Sequence, residues 1–374
     1  MIKVMNIISD TNIGGAGRVL LNYVKYYNRD EFDVSVAVPR GSALVPRLKA
    51  LGVRTLELDI DGDRSFDRAA VPVLKQAIDK EMPDIVHTHG SLSGRIAARR
   101  SGRHVIYTRH CAFPVKSYMK HGPGNWLNRC LNLHYADRVI AVGDAAKESL
   151  VESGIPVKYI DVMMNGCEKL PEATPDERLR YRSKWGIAED DFVIGILARI
   201  EIYKGHDDIL DAIKILISQG EKIRFLVAGS GDYEQQLRRR AEKELPPGTV
   251  IFTGFIDNVA EVISAMDVQI NASYESETSS LSVIEGMSAG IPAIVSDCGG
   301  NPLLIDDGVN GYIFKMRDSE SLAGCIKRLM DDRDLLERMS RDAVKIYEER
   351  FTVKSFADKV EAVYRKVTGG RNND

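Results

Sequence analysis

Long apolar runs are missing from this 374-residue chain: no stretch reaches the roughly 20 consecutive apolar residues of a membrane-spanning helix. A basic leader with a short apolar core is missing too, so we expect a soluble, unprocessed globular protein with the cytoplasm as its default location. Signals for cysteine pairing are also absent. Cys111, Cys130, Cys167, Cys298 and Cys325 are odd in number, widely spread and never in a C-x-x-C arrangement. That argues against both a disulfide framework and a zinc site, and leaves them as packing residues. Between Asp84 and Asp137 there is no acidic residue at all, although Arg95, Arg99, Arg100, Arg103, Arg109, Lys116, Lys120 and Arg129 fall there with six of the seven histidines.

With 44% apolar and 28% charged residues the composition is that of a globular protein, and the length suits two domains. The net charge of -3 hides an asymmetry. Residues 1–167 carry 23 Lys+Arg against 17 Asp+Glu, a net of +6, and the remainder 28 against 37, a net of -9. Short runs rich in valine and isoleucine recur, each followed by a segment of helical periodicity. KVMNIIS, FDVSVAV, DIVHTH, HVIYTRH and RVIAVG come first. A polar interval, EKLPEATPDERLRYRSKWG, breaks the rhythm with two prolines and dense charge, and we place the interdomain linker at its start. DFVIGILARI, IRFLVAGSG, TVIFTGF, DVQINAS and IPAIVSD then restart it. Strands alternating with helices imply parallel β-α units, so the reading is α/β, with two Rossmann-like doubly wound domains over 1–167 and 168–352. Two such domains facing each other would put the carboxyl ends of both sheets around an interdomain cleft. The closing segment, 353–374, has a helical pattern compatible with packing on either domain.

Three motifs carry chemistry. The loop IGGAGR joins the first strand to the first helix. Gly14, Gly15 and Gly17 there either let backbone N–H groups and a helix dipole approach a phosphate, or serve a tight turn that needs glycine only for its φ. A dinucleotide site is disfavoured, because Leu20 stands where the third glycine belongs and the second strand ends VAVPR without an acid for a ribose. In LARIEIYKGHDDIL, Arg199 and Lys204 sit at and beyond the end of a strand, where a guanidinium and an ammonium suit a diphosphate; two solvated surface cations are the alternative. In ETSSLSVIEGMSAG, Glu277 and Glu285 lie eight positions apart. Thr278 to Ser280 are helix-capping types, and Leu281, Ile284, Met287 and Ser288 recur at helical spacing. Were most of the interval helical, the carboxyls would be roughly 12 Å apart, too far for one metal ion but suited to two ends of an extended polar ligand. His87 and His89 form an H-x-H pair on one side of a strand, but no carboxylate or cysteine stands nearby in sequence, so no metal is expected.

Taken together these residues resemble the retaining, nucleotide-sugar-dependent glycosyltransferases of family 4, which have the GT-B fold. The resemblance covers nearly the whole chain, and its most specific element is E-x7-E, present as Glu277 and Glu285. It implies that Glu285 binds the ribose hydroxyls of the donor and Glu277 the hydroxyls of the transferred sugar. It also implies that Arg199 and Lys204 clamp the diphosphate, and that His110, in YTRHC, lines the sugar pocket near the reacting bond. Many members carry E-G-F-G after the first glutamate where this chain has E-T-S-S, which leaves Ser279, Ser280 and Leu281 as the backbone N–H donors and makes sugar choice open.

The activity expected from this resemblance is that of a metal-independent, cofactor-free hexosyltransferase that retains anomeric configuration. It would use a UDP-sugar in preference to a GDP-sugar, with chemistry carried by positioning and charge stabilisation. The acceptor is expected to be a glycan or a lipid-linked sugar, including an anionic one, in cell-surface polysaccharide or glycolipid synthesis. The basic region 95–129, with Trp126 and Leu127, suits peripheral contact with the inner face of a membrane. Nucleic acid is not expected as a partner, because the whole protein is acidic and no nucleic-acid module is recognisable. A sugar-nucleotide-binding protein without turnover and a dinucleotide-dependent oxidoreductase are the rival readings.

Overall fold

The structure, a computed structural model, describes residues 1–112, 115, 117–120, 122–275 and 277–369, with Tyr118 described by its backbone only. The described residues fall into two compact units. The first comprises Met1–Gly166 and the stretch from Val353 onward, and the second is Cys167–Thr352.

In the first unit seven strands are described: β1 (Ile2–Ile8), β2 (Phe32–Pro39), β3 (Arg54–Leu58), β4 (Ile85–His89), β5 (His104–Arg109), β6 (Arg138–Val142) and β7 (Ile160–Met163). They pair in the order β3-β2-β1-β4-β5-β6-β7, every pair parallel. The second unit holds β8 (Phe192–Leu197), β9 (Ile223–Ala228), β10 (Val250–Gly254), β11 (Val268–Asn271), β12 (Ala293–Ser296) and β13 (Gly311–Phe314), in the order β10-β9-β8-β11-β12-β13, again all parallel. Both sheets therefore reverse their winding beside their first strand. That is the doubly wound α/β arrangement, with a switch point between β1 and β4 and another between β8 and β11.

Helices cover both faces of each sheet, which is why the strands read as nearly continuous apolar runs. In the first unit Met5, Ile7, Val86 and Val105 pack against Leu74 and Ile78 of the helix Ala70–Glu81. In the second, Ile194, Phe225, Val227 and Ile270 pack against Ile209, Ile213 and Leu216 of the helix His206–Ser218. The opposite face buries Val193 and Leu226 against Val262 and Ile263. Three strands escaped the sequence reading: β3, β7 and β13. All three are at sheet edges, and β3 and β7 have half-buried or exposed positions that dilute the apolar signal.

The polar interval before β8 is more than a connector. Residues Pro175–Lys184 form a helix started by a capping box, in which Thr174 and Glu177 satisfy each other's backbone N–H groups. Arg178 and Arg182 of this helix bind the carboxylate of Asp267 at 2.8 and 2.9 Å, where Asp267 also accepts the Val193 N–H. At the other end of the chain, the helix Val353–Gly369 packs in the first unit. Tyr364 is fully buried there against Phe32 and Tyr23, Glu361 accepts the Asn28 N–H at 2.7 Å, and Arg365 pairs with Glu31.

Candidate active site

In the second unit the expected residues gather around the carboxyl ends of β8 and β11, beside the switch point. Arg199 follows β8, and Lys204 ends a single 3-10 turn, Ile202–Lys204. Gly205 comes next with φ +71°, and a Cβ on it would lie 2.1 Å from the Ala272 carbonyl oxygen. Only glycine lets this loop close on the segment after β11. The closure brings the Lys204 Nζ to 2.9 Å from Oε2 of Glu277. Ser273 Oγ at 2.9 Å and Asn271 Nδ2 at 3.3 Å donate to that same oxygen, whereas Oε1 takes none of the three. Burial alone would push the Glu277 carboxyl up. The Lys204 ammonium and the Ser273 and Asn271 hydrogen bonds outweigh it, holding the group below its ordinary value and therefore ionised.

Arg199 is not drawn into this cluster. It is exposed, and its Nη2 reaches the Tyr203 hydroxyl at 3.2 Å. Glu285 lies in the helix Leu281–Ser288, half-buried, near enough to Cys167 to add to the burial that raises the thiol's pKa. The helix starts only at Leu281, so Glu277 stands outside it, and the 12 Å spacing estimated for a largely helical interval does not apply. Ser280 is the N-cap residue, but its side chain makes no capping bond; it meets Ser282 Oγ at 3.1 Å instead. The first-turn N–H groups thus depend on no Ser280 side-chain cap. Helix dipole and N–H groups face the region where Ser279, Ser280 and Leu281 were expected to donate.

The supports under Glu277 were not found from the sequence. Gly300 N–H donates to the Glu277 carbonyl at 3.1 Å, and a Cβ on Gly299 or Gly300 would lie 2.1 Å from the Glu277 or 1.6 Å from the Thr278 carbonyl oxygen. Buried Asn301 donates to Ser296 Oγ, which donates to the Ser273 carbonyl. The signal available was C-G-G-N just beyond one strand, and a polar Asn271 at the end of another.

In the first unit Gly14 is the N-cap of the helix Gly15–Tyr26, with φ -88°. Neither Gly14 nor Gly15 has a positive φ, and a Cβ on either would meet nothing within 4 Å. A turn that needs glycine for its φ is thereby ruled out for both. Gly17 differs, because its Cβ would press on Leu44 at 3.2 Å, so close packing explains it.

His110 follows β5 and, half-buried, joins a cluster with the buried His87 and His89. His89 Nδ1 lies 2.9 Å from His110 Nε2, and His89 Nε2 lies 3.1 Å from Asn6 Oδ1. The Asn6 carbonyl oxygen can only accept, so His89 carries its proton on Nε2 and accepts at Nδ1 from His110 Nε2–H. The unprotonated nitrogen of His110 is then Nδ1. His87 is held by the Tyr364 hydroxyl at 2.7 Å and Thr108 Oγ1 at 2.6 Å. The ring nitrogens of His87 and His89 are thus engaged in hydrogen bonds. Desolvation holds all three imidazoles neutral: His87 falls to about 3, His110 to about 4, and His89 well below its ordinary value with His87 and His110 adding to the effect.

The basic stretch is largely consumed by the fold. Arg95 is buried, its guanidinium over the Tyr107 ring and on Asn132; Arg99 pairs with Asp137, Lys120 with Glu152, and Arg109 turns onto the Cys111 carbonyl. Arg103 is half-buried, whereas Arg100 and Arg129 are exposed. Lys116 lies outside the described residues.

Two switch points, one beside a buried Lys-Glu pair and a helix N-terminus and the other beside an open glycine loop and neutral histidines, define a glycosyltransferase of the GT-B architecture. Residues 13–168 match the family model described as Glycosyltransferase Family 4, and residues 177–346 match that for Glycosyl transferases group 1. Both models describe glycosyltransferases, and between them they match most of the chain. It is similar to EpsD of Bacillus subtilis (strain 168), at 29% identity covering 90% of this chain and 91% of that one. It is also similar to the UDP-Gal:alpha-D-GlcNAc-diphosphoundecaprenol alpha-1,3-galactosyltransferase of Escherichia coli, at 26% identity over 97% and 96% of the two chains. Among solved structures, Anabaena HepE in complex with UDP and glucose shares the fold with a TM-score of 0.84, 21% identity and coverage of 97% and 99%.

Proposed function

We propose that this enzyme transfers a hexose from a UDP-sugar to a lipid-linked or glycan hydroxyl with retention of anomeric configuration and without a metal ion. The observation that carries the reading is the buried Lys204–Glu277 pair beside the start of the helix Leu281–Ser288. The Glu277 oxygen outside the Lys204, Ser273 and Asn271 bonds suits a sugar hydroxyl. The Lys204 ammonium has three N–H donors, so it can hold Glu277 with one and offer the others to phosphate oxygens in place of a divalent cation. Arg199 supplies a second cation, and the backbone at Ser279, Ser280 and Leu281 supplies neutral donors. Glu285 is assigned to the ribose, the open Gly14 and Gly15 to the diphosphate with Gly17 packing the helix behind them, and His110 to the sugar. The named substrates of the Escherichia coli relative, a UDP-hexose and a diphosphoundecaprenol-linked sugar, support the donor and acceptor classes. A protein with the same fold is known in complex with UDP and glucose, which agrees with the donor class.

In the reaction the acceptor oxygen bonds to the anomeric carbon on the face from which the diphosphate departs. The bond from that carbon to the phosphate oxygen breaks, and the acceptor proton passes to the leaving diphosphate. Lys204 and Arg199 stabilise its developing charge. A lipid-linked acceptor would place this synthesis at the inner face of a membrane.

The test is a nucleotide-sugar panel with an undecaprenyl-diphosphate-sugar acceptor and NMR of the product anomer. We expect the donor's configuration in the product and full activity in EDTA. An inverted product, or an absolute need for Mn²⁺ or Mg²⁺, overturns the mechanism. Glu285→Gln should weaken UDP itself about tenfold, the loss of one charge-assisted hydrogen bond. Glu277→Gln should spare UDP and lower turnover, and equal loss of UDP affinity in both variants defeats that division of roles.

A further inference from the structure

The helix Gly122–His134 of the first unit is built inside out. Helices on a globular surface turn apolar residues to the core and polar ones to water. Here the inward anchors are asparagines at positions 125, 128 and 132. Asn125 Nδ2 donates to the Met119 and Glu152 carbonyls at 3.0 and 2.9 Å, and Asn128 Nδ2 to the Ser153 carbonyl at 2.6 Å. Asn132 Oδ1 accepts from the buried Arg95 at 2.9 Å. Gly154 permits the approach, since a Cβ there would meet Asn125 Oδ1 at 2.7 Å. The outward face carries Pro123, Trp126, Leu127, Cys130 and Leu131, spaced as one stripe about 160° around the helix from the asparagines. Trp126 is 65% exposed, Leu127 54% and Leu131 47%, and no described residue of the helix is buried. Scattered exposed leucines need no explanation, but a continuous stripe held outward by a polar inner face does.

We propose that this helix is an interfacial anchor, and that what covers its stripe is an anionic lipid surface. Charge complementarity selects the partner. The helix lies within a stretch without a single carboxylate from 85 to 136, and Arg129, exposed on the flank of the stripe, pairs with no carboxylate among the described residues. A helix without a carboxylate of its own, with an apolar stripe that includes a tryptophan and with Arg129 exposed beside it, is the composition that lies in the headgroup region of an anionic bilayer. The proposal deepens the reading of a lipid-linked acceptor and rests on it for the enzyme's purpose at a bilayer. It also relocates the membrane contact expected of the basic region. Arg95, Arg99 and Arg109 are spent inside the fold, and the apolar stripe does the inserting.

Trp126 reports on this directly. With Trp185→Phe as background it is the sole tryptophan. Vesicles of phosphatidylcholine with about 30% phosphatidylglycerol should shift its emission to the blue and carry the protein down on sedimentation. Phosphatidylcholine alone should do neither, and about 0.5 M NaCl should weaken both effects. Trp126→Ser/Leu127→Ser/Leu131→Ser, which alters only outward residues, should reduce partitioning at least about tenfold while UDP binding is unchanged. Arg129→Glu should weaken binding to anionic vesicles with the apolar stripe intact. If the wild type stays in solution, or the triple variant partitions equally, the proposal fails. It fails equally if the blue shift follows protein concentration without vesicles and a dimer is lost in the triple variant, since a second copy then covers the stripe. Vesicle binding is read without acceptor or turnover. Transfer to a lipid-linked acceptor without vesicle binding therefore defeats the anchor alone, and vesicle binding without such transfer defeats the acceptor reading alone.

Discussion

At the scale of single residues, the pairing of Lys204 with Glu277 changes what a substitution there should do. Viewed along the chain, Lys204 is a cation waiting for a diphosphate, whose loss should cost rate far more than stability. In the fold it neutralises a buried carboxylate, and removing one partner of such a pair leaves the other uncompensated. We predict that Lys204→Ala loses about 3 kcal/mol of stability near neutral pH as well as activity, and that Lys204→Met/Glu277→Gln recovers most of the stability. The pH dependence has a definite sign. In the wild type the Glu277 pKa lies below its ordinary value of 4.5, so its contribution is present above that pH and is lost as pH falls through the folded value. Without Lys204, burial dominates and the shift reverses, so protonation relieves the variant. The stability gap between the two proteins, measured by urea titration, should therefore narrow below about pH 4.5, and a constant gap would contradict the pairing. Glu277 and Lys204 were legible as candidates, because charged residues after strands stand out in an apolar rhythm. Asn271, Ser273 and Asn301 were not, because an isolated Asn or Ser near a strand end has many ordinary uses.

Elements show how a distant segment completes a local cluster. The helix Val353–Gly369 supplies Tyr364, whose hydroxyl meets His87 277 residues away in sequence. No periodicity in that helix could announce the bond, since its apolar face suits either unit. Tyr364→Phe keeps the ring's contacts with Phe32 and Tyr23 and removes only the hydroxyl, leaving His87 with a buried, unsatisfied nitrogen. We expect a loss of about 1–3 kcal/mol confined to the first unit. Hydrogen exchange should show it: amides of β1 and β4 should lose protection while those of β8 and β11 keep theirs. Equal loss in both sheets would show that the bond does not act locally. Helix boundaries mattered in the same way for the loop after β11. Capping types at Thr278 to Ser280 pointed to a helix start, yet the helix begins only at Leu281, and Gly299 and Gly300 pack against the carbonyls of Glu277 and Thr278 before it.

At the scale of the whole molecule, the two units should respond differently to acid. His87, His89 and His110 are held neutral by burial in the first unit, with pKa values depressed from 6.5, whereas His206 is the one histidine of the second. The unfolded chain binds these protons first, so stability is full above about pH 6.5 and is lost as pH falls toward 4, by up to about 1.4 kcal/mol per pH unit for each histidine. We predict that the first unit unfolds before the second on acidification to pH 5, followed by hydrogen exchange as loss of amide protection in β1 and β4 ahead of β8 and β11. Coincident transitions would refute it. The α/β class and the parallel doubly wound sheets were already determined by the sequence, because the alternation of apolar runs with helical segments is a local signal written along the chain, and the glycosyltransferase assignment followed from the family resemblance carried by Glu277, Glu285, Arg199 and Lys204. The edge strands β3, β7 and β13, the ion pair that occupies Lys204, the histidine relay from Asn6 to His110 and the outward stripe at Trp126 were decided only by tertiary structure. Each depends on which side of an element is buried and on partners tens to hundreds of residues away, and one-dimensional spacing does not carry that information.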